Sequence, residues 1–276
     1  NHTQIWWTNA AGNSGGDFYF QECYYGLVKL TGITDSGGMA LSSCKFFELD
    51  NIEFYRSGSI GMVDVTNVTV SDSSFQFGHG GAINVESSTN VTLVRNKIDD
   101  NYSPDSYSEG IYVEDSSDVT FGDNQITNMD DAAIYLDQST DCYLDNNTLD
   151  FGGLYVKADS RIYWAHEVTL ENKVGGKPIY YLVNESFADY DMTPAGQVFL
   201  VDCKNVSTTG GNIHNTPLGY VMAYSSNCSV SSLLTDGCSR GLFSFYSEDC
   251  RVTSSLFYNG GYNGNGIYGQ YSTSMN

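Results

Sequence analysis

Basic residues are scarce in this sequence. Its 276 residues include 12 lysines and arginines but 33 aspartates and glutamates, which gives a formal net charge of −21 at pH 7. A surface of this charge repels nucleic acids and anionic membranes, so we expect neither as a partner. Counterions in a salty or cation-rich exterior would screen the self-repulsion, and the composition therefore indicates an extracellular setting.

Other features are also missing. No apolar run approaches the roughly 20 residues that span a bilayer, so we expect no membrane span. The chain begins Asn1-His2-Thr3 without a signal peptide or initiator methionine, which indicates a processed or trimmed product. None of the seven cysteines lies in a CxxC pair, which argues against zinc and redox motifs.

What the sequence does contain is a repeat. A phrase of Asx, apolar, Thr or Ser, apolar, followed by Asn or Ser and another apolar residue, starts at Cys44, Asn67, Asn90, Asp118, Asp141, Asn205, Asn227 and Asp249. Most neighbouring starts lie 22 or 23 residues apart, with one step of 28 from 90 to 118 and a gap of 64 from 141 to 205. A second phrase, small-apolar-any-apolar, starts at Ala82, Gly110, Ala133, Gly153, Gly241 and Gly266.

Both phrases alternate with period 2, which is typical of short strands with one buried face. One coil cannot bury its own interior, but stacked coils about 4.8 Å apart supply hydrogen bonds above and below. The sequence therefore predicts an all-β chain folded as a right-handed parallel β-helix, with an ordinary β-sandwich as the alternative. Asn96, Asn124 and Asn147 recur at one turn position and should stack as an amide ladder.

The predicted organisation has two parts. Residues 1–40 fit the repeat poorly and should form an aromatic cap with a first irregular coil. Residues 41–276 should form one continuous β-helix, with corner insertions near 101–107 and 171–195 where the period breaks.

One segment resembles a known family. Asn172-Lys173-Val174-Gly175-Gly176-Lys177-Pro178-Ile179-Tyr180-Tyr181-Leu182 is similar to the N-x-V-N-G-K-P-x-Y-Y stretch of NosD-like β-helix proteins from the surfaces of methanogenic archaea. The resemblance covers residues 165–275 and departs at Gly175, where the family usually has Asn. It implies a β-helix at a cell surface, in a group that mixes binding, structural and carbohydrate-active members.

Counting along the repeats brings four polar residues to one corner. Arg56, His79 and Asp130 should project from one edge, with Asp131 beside the last. An acid, a base and a cation in one groove are what a glycoside hydrolase or polysaccharide lyase needs. The order of the Asp pair and Gly78-His79-Gly80 is the reverse of that in polygalacturonases. The alternative is that corners simply expose polar residues.

Two further sets of side chains invite modification. Asn-X-Ser/Thr sequons, which glycosylation or plain turn chemistry would explain, begin at Asn1, Asn67, Asn90, Asn101, Asn146, Asn184, Asn205 and Asn227. Cys228 and Cys250 should stack as free thiols in the core, one coil apart. Cys44 and Cys238 fall at edge or turn positions, where a disulfide or a thiol linking two chains is expected.

These features favour a non-enzymatic structural protein, a subunit of a sheath, surface layer or filament that self-associates into a polymer. The alternative is a polysaccharide hydrolase or lyase, or a module that binds cell-surface glycans. A metal-maturation factor would need clustered His, Met or Cys, and these residues are scattered, so no metal site is predicted. Calcium is the one cofactor that the acidity leaves open.

Overall fold

The computed structural model is built almost wholly of short β-strands. It describes residues 3–7, 10–11, 18–30, 32–35, 37–78, 81–99, 109–129, 131–150, 152–258 and 264–274. A single turn of 3-10 helix, Arg161–Trp164, interrupts the strands within these ranges. The prediction of an all-β parallel solenoid is therefore confirmed.

An N-terminal stack, residues 3–174, has three parallel faces. Sheet A contains Thr3–Trp7, Tyr24–Leu30, Lys45–Asp50, Thr66–Ser71, Thr89–Val94, Ser117–Gly122, Tyr143–Asp145 and Glu167–Val168. Sheet B contains Ala10–Ala11, Ile33–Thr34, Glu53–Tyr55, Ser74–Gln76, Lys97–Asp99, Gln125–Thr127, Thr148–Leu149 and Lys173–Val174. Sheet C contains Phe18–Gln21, Met39–Ser42, Ile60–Val63, Ile83–Glu86, Ile111–Glu114, Ile134–Asp137 and Leu154–Lys157.

The register follows the repeat. Val68 pairs with Val91, and Val91 pairs with Val119, so the same apolar position of each coil stacks on the next. These side chains are at most 1% exposed, while the residues between them face outward. The period-2 alternation thus fills a continuous apolar interior along the stack.

The Asx residues that begin each repeat lie at corners. Asn67 and Asn90 have φ of +55° and +56°, and Asp64 and Asp72 nearby have φ of +53° and +51°. This left-handed geometry is unfavourable for most side chains, and Asn and Asp tolerate it best among non-glycine residues. The corners therefore explain why Asx recurs at these positions.

The predicted amide ladder is confirmed. Asn124 Oδ1 accepts hydrogen bonds from the backbone N–H of Asn96 (3.0 Å) and from Asn96 Nδ2 (3.1 Å). Asn147 Oδ1 accepts in the same way from Asn124, and Asn172 Oδ1 from Asn147. All four amides are at most 1% exposed. Each side chain thus satisfies buried backbone of the preceding coil.

Replacing Asn124 with Ala should break this ladder. The change leaves the backbone N–H and Nδ2 of Asn96 without an acceptor, and the Leu93 carbonyl without the Asn124 Nδ2 donor. We expect the free energy of unfolding to fall by about 1–3 kcal/mol, measured by denaturant titration. Asn212→Ala, on an exposed strand position, is the control and should change it by less than about 0.5 kcal/mol. Equal stability of the two variants would contradict the ladder's role.

The stack does not continue uninterrupted to the end of the chain. Lys173–Val174 pairs antiparallel with Lys177–Val183, through a tight turn at Gly175 and Gly176 with φ of +55° and +77°. The β-helix predicted for residues 41–276 is therefore interrupted here by one antiparallel pairing, and its bounds stay a prediction. Two adjacent residues in left-handed geometry reverse the chain, which glycine allows without steric cost.

A C-terminal stack, residues 177–274, follows this reversal. Sheet D contains Lys177–Val183, Gln197–Val201, Leu218–Ala223, Arg240–Phe245 and Asn265–Gln270. Sheet E contains Asp189–Asp191, Ser207–Thr209, Ser229–Ser231 and Arg251–Thr253, and sheet F contains Asn212–His214, Leu234–Asp236 and Leu256–Tyr258. Neighbouring strands are parallel. The middle strands of sheet D step by 22 residues, as in Val198–Tyr220–Leu242, whereas its first and last steps are 18 and 25 residues, from Ile179 to Gln197 and from Arg240 to Asn265.

Sheet D is buried on both faces. Val198, Leu200 and Tyr220 belong to the interior of the C-terminal stack. Phe199 and Val221, on the other face, belong to the same apolar cluster as the interior of the N-terminal stack. The two stacks therefore share this sheet, and the residues at their junction come from distant parts of the sequence.

The predicted domain boundary at residue 40 stays a prediction. Strands from Thr3–Trp7 onward already pair in parallel with later coils, and Tyr24–Leu30 pairs with Lys45–Asp50 across that boundary. The predicted insertion at 101–107 lies outside the described residues. The segment 171–195 holds the hairpin and the strand Asp189–Asp191.

Candidate functional site

The structure describes only two of the four residues predicted for catalysis, Arg56 and Asp131. His79 and Asp130 lie outside the described residues. Arg56 pairs with Asp35, with 2.9 Å between Nη2 and Oδ2, and lies 5.1 Å from the centre of the Tyr55 ring. Because Tyr55 pairs with Gln76, Arg56 is in register with Phe77. The repeat copy that starts at Cys44 is offset by two residues from the copy that starts at Asn67, because Cys44 is in register with Val65. The shared edge of Arg56, His79 and Asp130 stays a prediction.

Asp131 is half-buried beside a second carboxyl group. Burial raises the pKa of Asp131, and burial also raises the pKa of Glu109, with a smaller contribution from the charge of Asp131. The two residues lie on neighbouring coils next to sheet C, because Ile111 and Ile134 pair. A carboxyl group with a raised pKa suits general-acid chemistry.

A row of tyrosines follows sheet C on its outer face. Tyr112, Tyr135 and Tyr155 pack ring to ring, with centroids 5.2 and 4.6 Å apart. Beside them, Asp137 accepts a hydrogen bond from Tyr112 (3.3 Å) and pairs with Lys157, with 2.6 Å between Nζ and Oδ2. The row ends at Tyr155, on the last strand of sheet C.

A cleft of about 350 Å³ opens where this last strand meets sheet D. We call it the junction cleft. Its aromatic lining comprises Tyr155, Trp164, Phe243, Phe245, Tyr246 and Tyr271. Its amide and charged lining comprises Gln138, Lys157, Asp159, Arg240 and Gln270. Small-molecule sites have this size and this mixture of apolar walls with a few polar groups.

Arg240 is positioned by aromatic rings. Its guanidinium carbon lies 4.7 Å from the centre of the Phe243 ring and 4.6 Å from the centre of the Tyr268 ring. Cation–π attraction and packing hold the guanidinium in place at such distances. On the opposite rim, Tyr246 stacks between Tyr224 (5.3 Å) and Tyr271 (4.7 Å). The cleft is thus lined by side chains that restrain one another.

A second cleft, of about 440 Å³, lies on the other side of the 3-10 helix. Ile162, Ala165 and Val183 line it, with Arg161 paired to Asp202 at its edge. The sequon residue Asn184 also lines this cleft. Because Arg161 already pairs with Asp202, its guanidinium is less available to a ligand than that of Arg240 in the junction cleft.

His166 is buried behind the 3-10 helix. It is 5% exposed, and neither ring nitrogen has a hydrogen-bond partner among the described residues. Burial lowers its pKa to about 4, so the imidazole is neutral at pH 7. Its ring lies 6.2 Å from that of Tyr181, whose hydroxyl donates to the Trp164 carbonyl (2.6 Å).

A family model identifies the family to which this chain belongs. The sequence model of a family described as a right-handed β-helix region matches residues 12–172, more than half of the chain. The chain belongs to this family. The right-handed sense of the predicted β-helix is thereby confirmed, whereas the finer NosD-like assignment stays a prediction. No curated protein matches the β-helix in sequence.

Several solved structures resemble this β-helix. The A-module of a mannuronan C-5 epimerase from Azotobacter vinelandii has 10% identity and a TM-score of 0.42, over 97% of this chain and 88% of that one. The tailspike receptor-binding domain of siphovirus 9NA has 12% identity and a TM-score of 0.44, over 87% and 49%. A surface adhesin of Streptococcus pneumoniae has 14% identity and a TM-score of 0.29, over 94% and 85%. Likenesses this distant carry no argument about activity.

The cysteines of the β-helix are free thiols. Cys44 and Cys238 lie at turns as predicted, but they are 0% and 1% exposed and form no disulfide. Their turn positions face inward, because Cys44 is in register with the buried Val65 and Cys238 with the buried Thr216. Burial also raises the pKa of both thiols. The predicted disulfides within the chain are therefore not formed, and a link between chains through either thiol stays a prediction, whereas the stacking of Cys228 and Cys250 in the core is confirmed.

The sequons mostly lie on the surface. Among the described ones, Asn90, Asn146, Asn184 and Asn227 are exposed, and Asn67 and Asn205 are half-buried. Asn1 and Asn101 lie outside the described residues. Two of the sequon side chains, those of Asn67 and Asn90, hydrogen-bond to each other, and Asn146 Nδ2 donates to Asp123 Oδ1 (2.6 Å). Glycosylation at these sites stays a prediction.

Two kinds of feature were not found in the described part of the β-helix, a metal-binding cluster and a membrane-spanning helix. It contains no group of three or more His, Cys, Asp or Glu side chains placed to hold a metal ion. It also has no helix of the length and apolarity needed to cross a bilayer.

Sequence reasoning missed the junction cleft. Tyr155, Phe243 and Tyr268 all occupy the free position of the small-apolar-any-apolar phrase, which faces outward. Aromatic residues at outward positions were the available signal. Nothing in the repeat indicates that the strand after Gly153 and the strand after Gly241 line the same cleft.

Proposed function

We propose that this protein is an extracellular β-helix module that binds glycans, and that the junction cleft holds the saccharide. The cleft carries the proposal: aromatic side chains suit the apolar C–H faces of sugar rings, and Gln138 and Gln270 can hydrogen-bond hydroxyl groups. The net charge of −21 and the exposed sequons support an extracellular location. The NosD-like resemblance of residues 165–275 supports a cell-surface setting.

Replacing Tyr246 with Ala tests the site. Tyr246 is 46% exposed and lines the cleft, so its ring can be removed without opening the core. We expect a drop of about tenfold in affinity for the glycan bound by the wild type, because aromatic anchors at binding sites contribute more than about 1 kcal/mol. Binding would be measured calorimetrically against a panel of xylan, glucan, polygalacturonate and dextran sulfate.

Tyr25→Ala is the matched control. Tyr25 is 50% exposed, has φ of +58° against +46° for Tyr246, and stacks on Phe46 at 5.0 Å. It lies near the other end of the N-terminal stack, so its loss should leave binding unchanged. Failure of every glycan in the panel to bind would refute the proposal. Release of reducing ends in the same panel would favour the hydrolase alternative, with Asp131 and Glu109 as its acids.

Self-association into a surface assembly is the second candidate. Its support is a cluster of exposed apolar side chains on the last coils of the C-terminal stack. Leu256 and Tyr258 are each 52% exposed, and Ile267 is 50% exposed. Grouped apolar side chains of this kind mark contact surfaces in many proteins. These three side chains do not supply polar groups like those that line the junction cleft. Glycan binding is therefore the function we place first.

A further inference from the structure

Arg240 differs from three of the other four arginines of this acidic protein. Arg56, Arg95 and Arg161 each pair with a carboxylate, and Lys157 pairs with Asp137. The Arg240 guanidinium makes no ion pair or hydrogen bond with any residue that the structure describes. It is half-buried in the junction cleft and rests on two aromatic rings.

Within the described part of the chain, this environment leaves the hydrogen-bonding capacity of Arg240 unused. Aromatic faces attract the cation but accept none of its five N–H donors in the plane of the guanidinium. The flat fork of donors matches two oxygens of a carboxylate or sulfate, and partial burial strengthens such a bond. The rings also restrict the side chain before a ligand arrives, which lowers the entropy lost on binding.

We propose that the junction cleft selects an anionic saccharide, and that Arg240 binds its carboxylate or sulfate group. The inference rests on the proposed glycan binding and adds the class of ligand. Tyr155, 4.6 Å from Tyr135 at the end of the tyrosine row, lines the same cleft as Arg240. The anionic group would therefore lie in the cleft beside Arg240, on the side that Tyr155 lines.

The other charges do not explain such selectivity. Asp137 neutralises Lys157, and the carboxylate of Asp159 on the rim opposes an anionic ligand. With a net charge of −21, the protein as a whole repels polyanions, so nonspecific attraction is excluded. Preference for an acidic glycan would thus depend on one directed contact.

Matched pairs of glycans test this inference. The first pair is polygalacturonate and its fully methyl-esterified form, and the second is dextran sulfate and dextran. Titrations would be run with EDTA, so that calcium cannot bridge acidic glycans to carboxylates. We expect the wild type to bind one anionic member roughly ten- to hundredfold more tightly than its neutral partner, which is the effect of a hydrogen-bonded charge pair. The pair that shows this ratio identifies the anion as carboxylate or sulfate.

Arg240→Gln should abolish the preference and leave the affinity for the neutral partner unchanged. Arg240→Lys keeps the charge without the fork and should retain part of the preference, which guards against a folding defect in the first variant. Arg251→Gln, at an exposed position of sheet E, should behave as the wild type. Equal binding of anionic and neutral partners, or a preference that survives Arg240→Gln, would overturn the inference while glycan binding stands. Absence of binding to all four glycans would also overturn the inference, and glycan binding itself would be refuted only if xylan and glucan fail to bind as well.

Discussion

Replacing Gln197 with Met should destabilise the protein by about 4 kcal/mol. The Gln197 amide is fully buried in sheet D and closes the free edge of sheet C. Its Oε1 accepts from the Leu154 N–H (3.0 Å), and its Nε2 donates to the carbonyls of Leu154 (2.6 Å) and Leu218 (2.7 Å). Methionine has a similar volume but satisfies none of these groups, and each unpaired buried group costs about 1–3 kcal/mol.

The measurement is denaturant unfolding of the variant beside Gln125→Met. Gln125 lies at an exposed position of sheet B, so its replacement should change the free energy of unfolding by less than about 0.5 kcal/mol. A loss of less than about 1 kcal/mol in Gln197→Met would show that this amide does not hold the two stacks together.

Replacing His166 with Leu should remove a large part of the acid sensitivity of the protein. The imidazole has a pKa of about 4 in the folded state and 6.5 as its ordinary value, because burial disfavours its charged form. Between pH 6.5 and pH 4 the unfolded chain binds a proton that the folded chain does not, so stability falls as the pH falls. At pH 4 this contribution reaches about 3 kcal/mol.

The test compares the free energies of unfolding of the wild type and the variant from pH 7 to pH 4. Carboxyl groups titrate in both proteins, so the difference between the two curves isolates His166. We expect the variant to gain about 3 kcal/mol relative to the wild type over this range. His214→Leu, which removes an exposed imidazole, is the control for loss of a histidine as such. Parallel curves for wild type and His166→Leu would contradict the burial of a neutral imidazole.

Much of the fold was predictable because it repeats. The alternation around Val68 and Val91 and the recurrence of Asn96, Asn124 and Asn147 depend on local period and turn geometry, which the sequence displays directly. Inward or outward orientation at a turn was harder to predict. Cys44 lies at a corner, yet its side chain points inward because the corner backbone turns it there.

Unlike the repeat, the chain reversal at Gly175 and Gly176 and the junction cleft could not be predicted from local sequence patterns. Only Gly175 and Gly176 mark the hairpin, and the repeat continues with nearly the same period on both sides. Tyr155 and Arg240 meet because sheet D packs against the end of the first stack, a long-range contact that leaves no periodic trace. The candidate site therefore had to come from the structure.

A crystal structure of the protein with an acidic oligosaccharide tests the central claim most directly. We expect the saccharide to occupy the junction cleft, with an anionic oxygen about 2.8 Å from a nitrogen of Arg240 and a sugar ring against the aromatic lining. A saccharide bound instead along the outer face of sheet C beside Asp131 and Glu109, with the junction cleft free of sugar, would contradict the account.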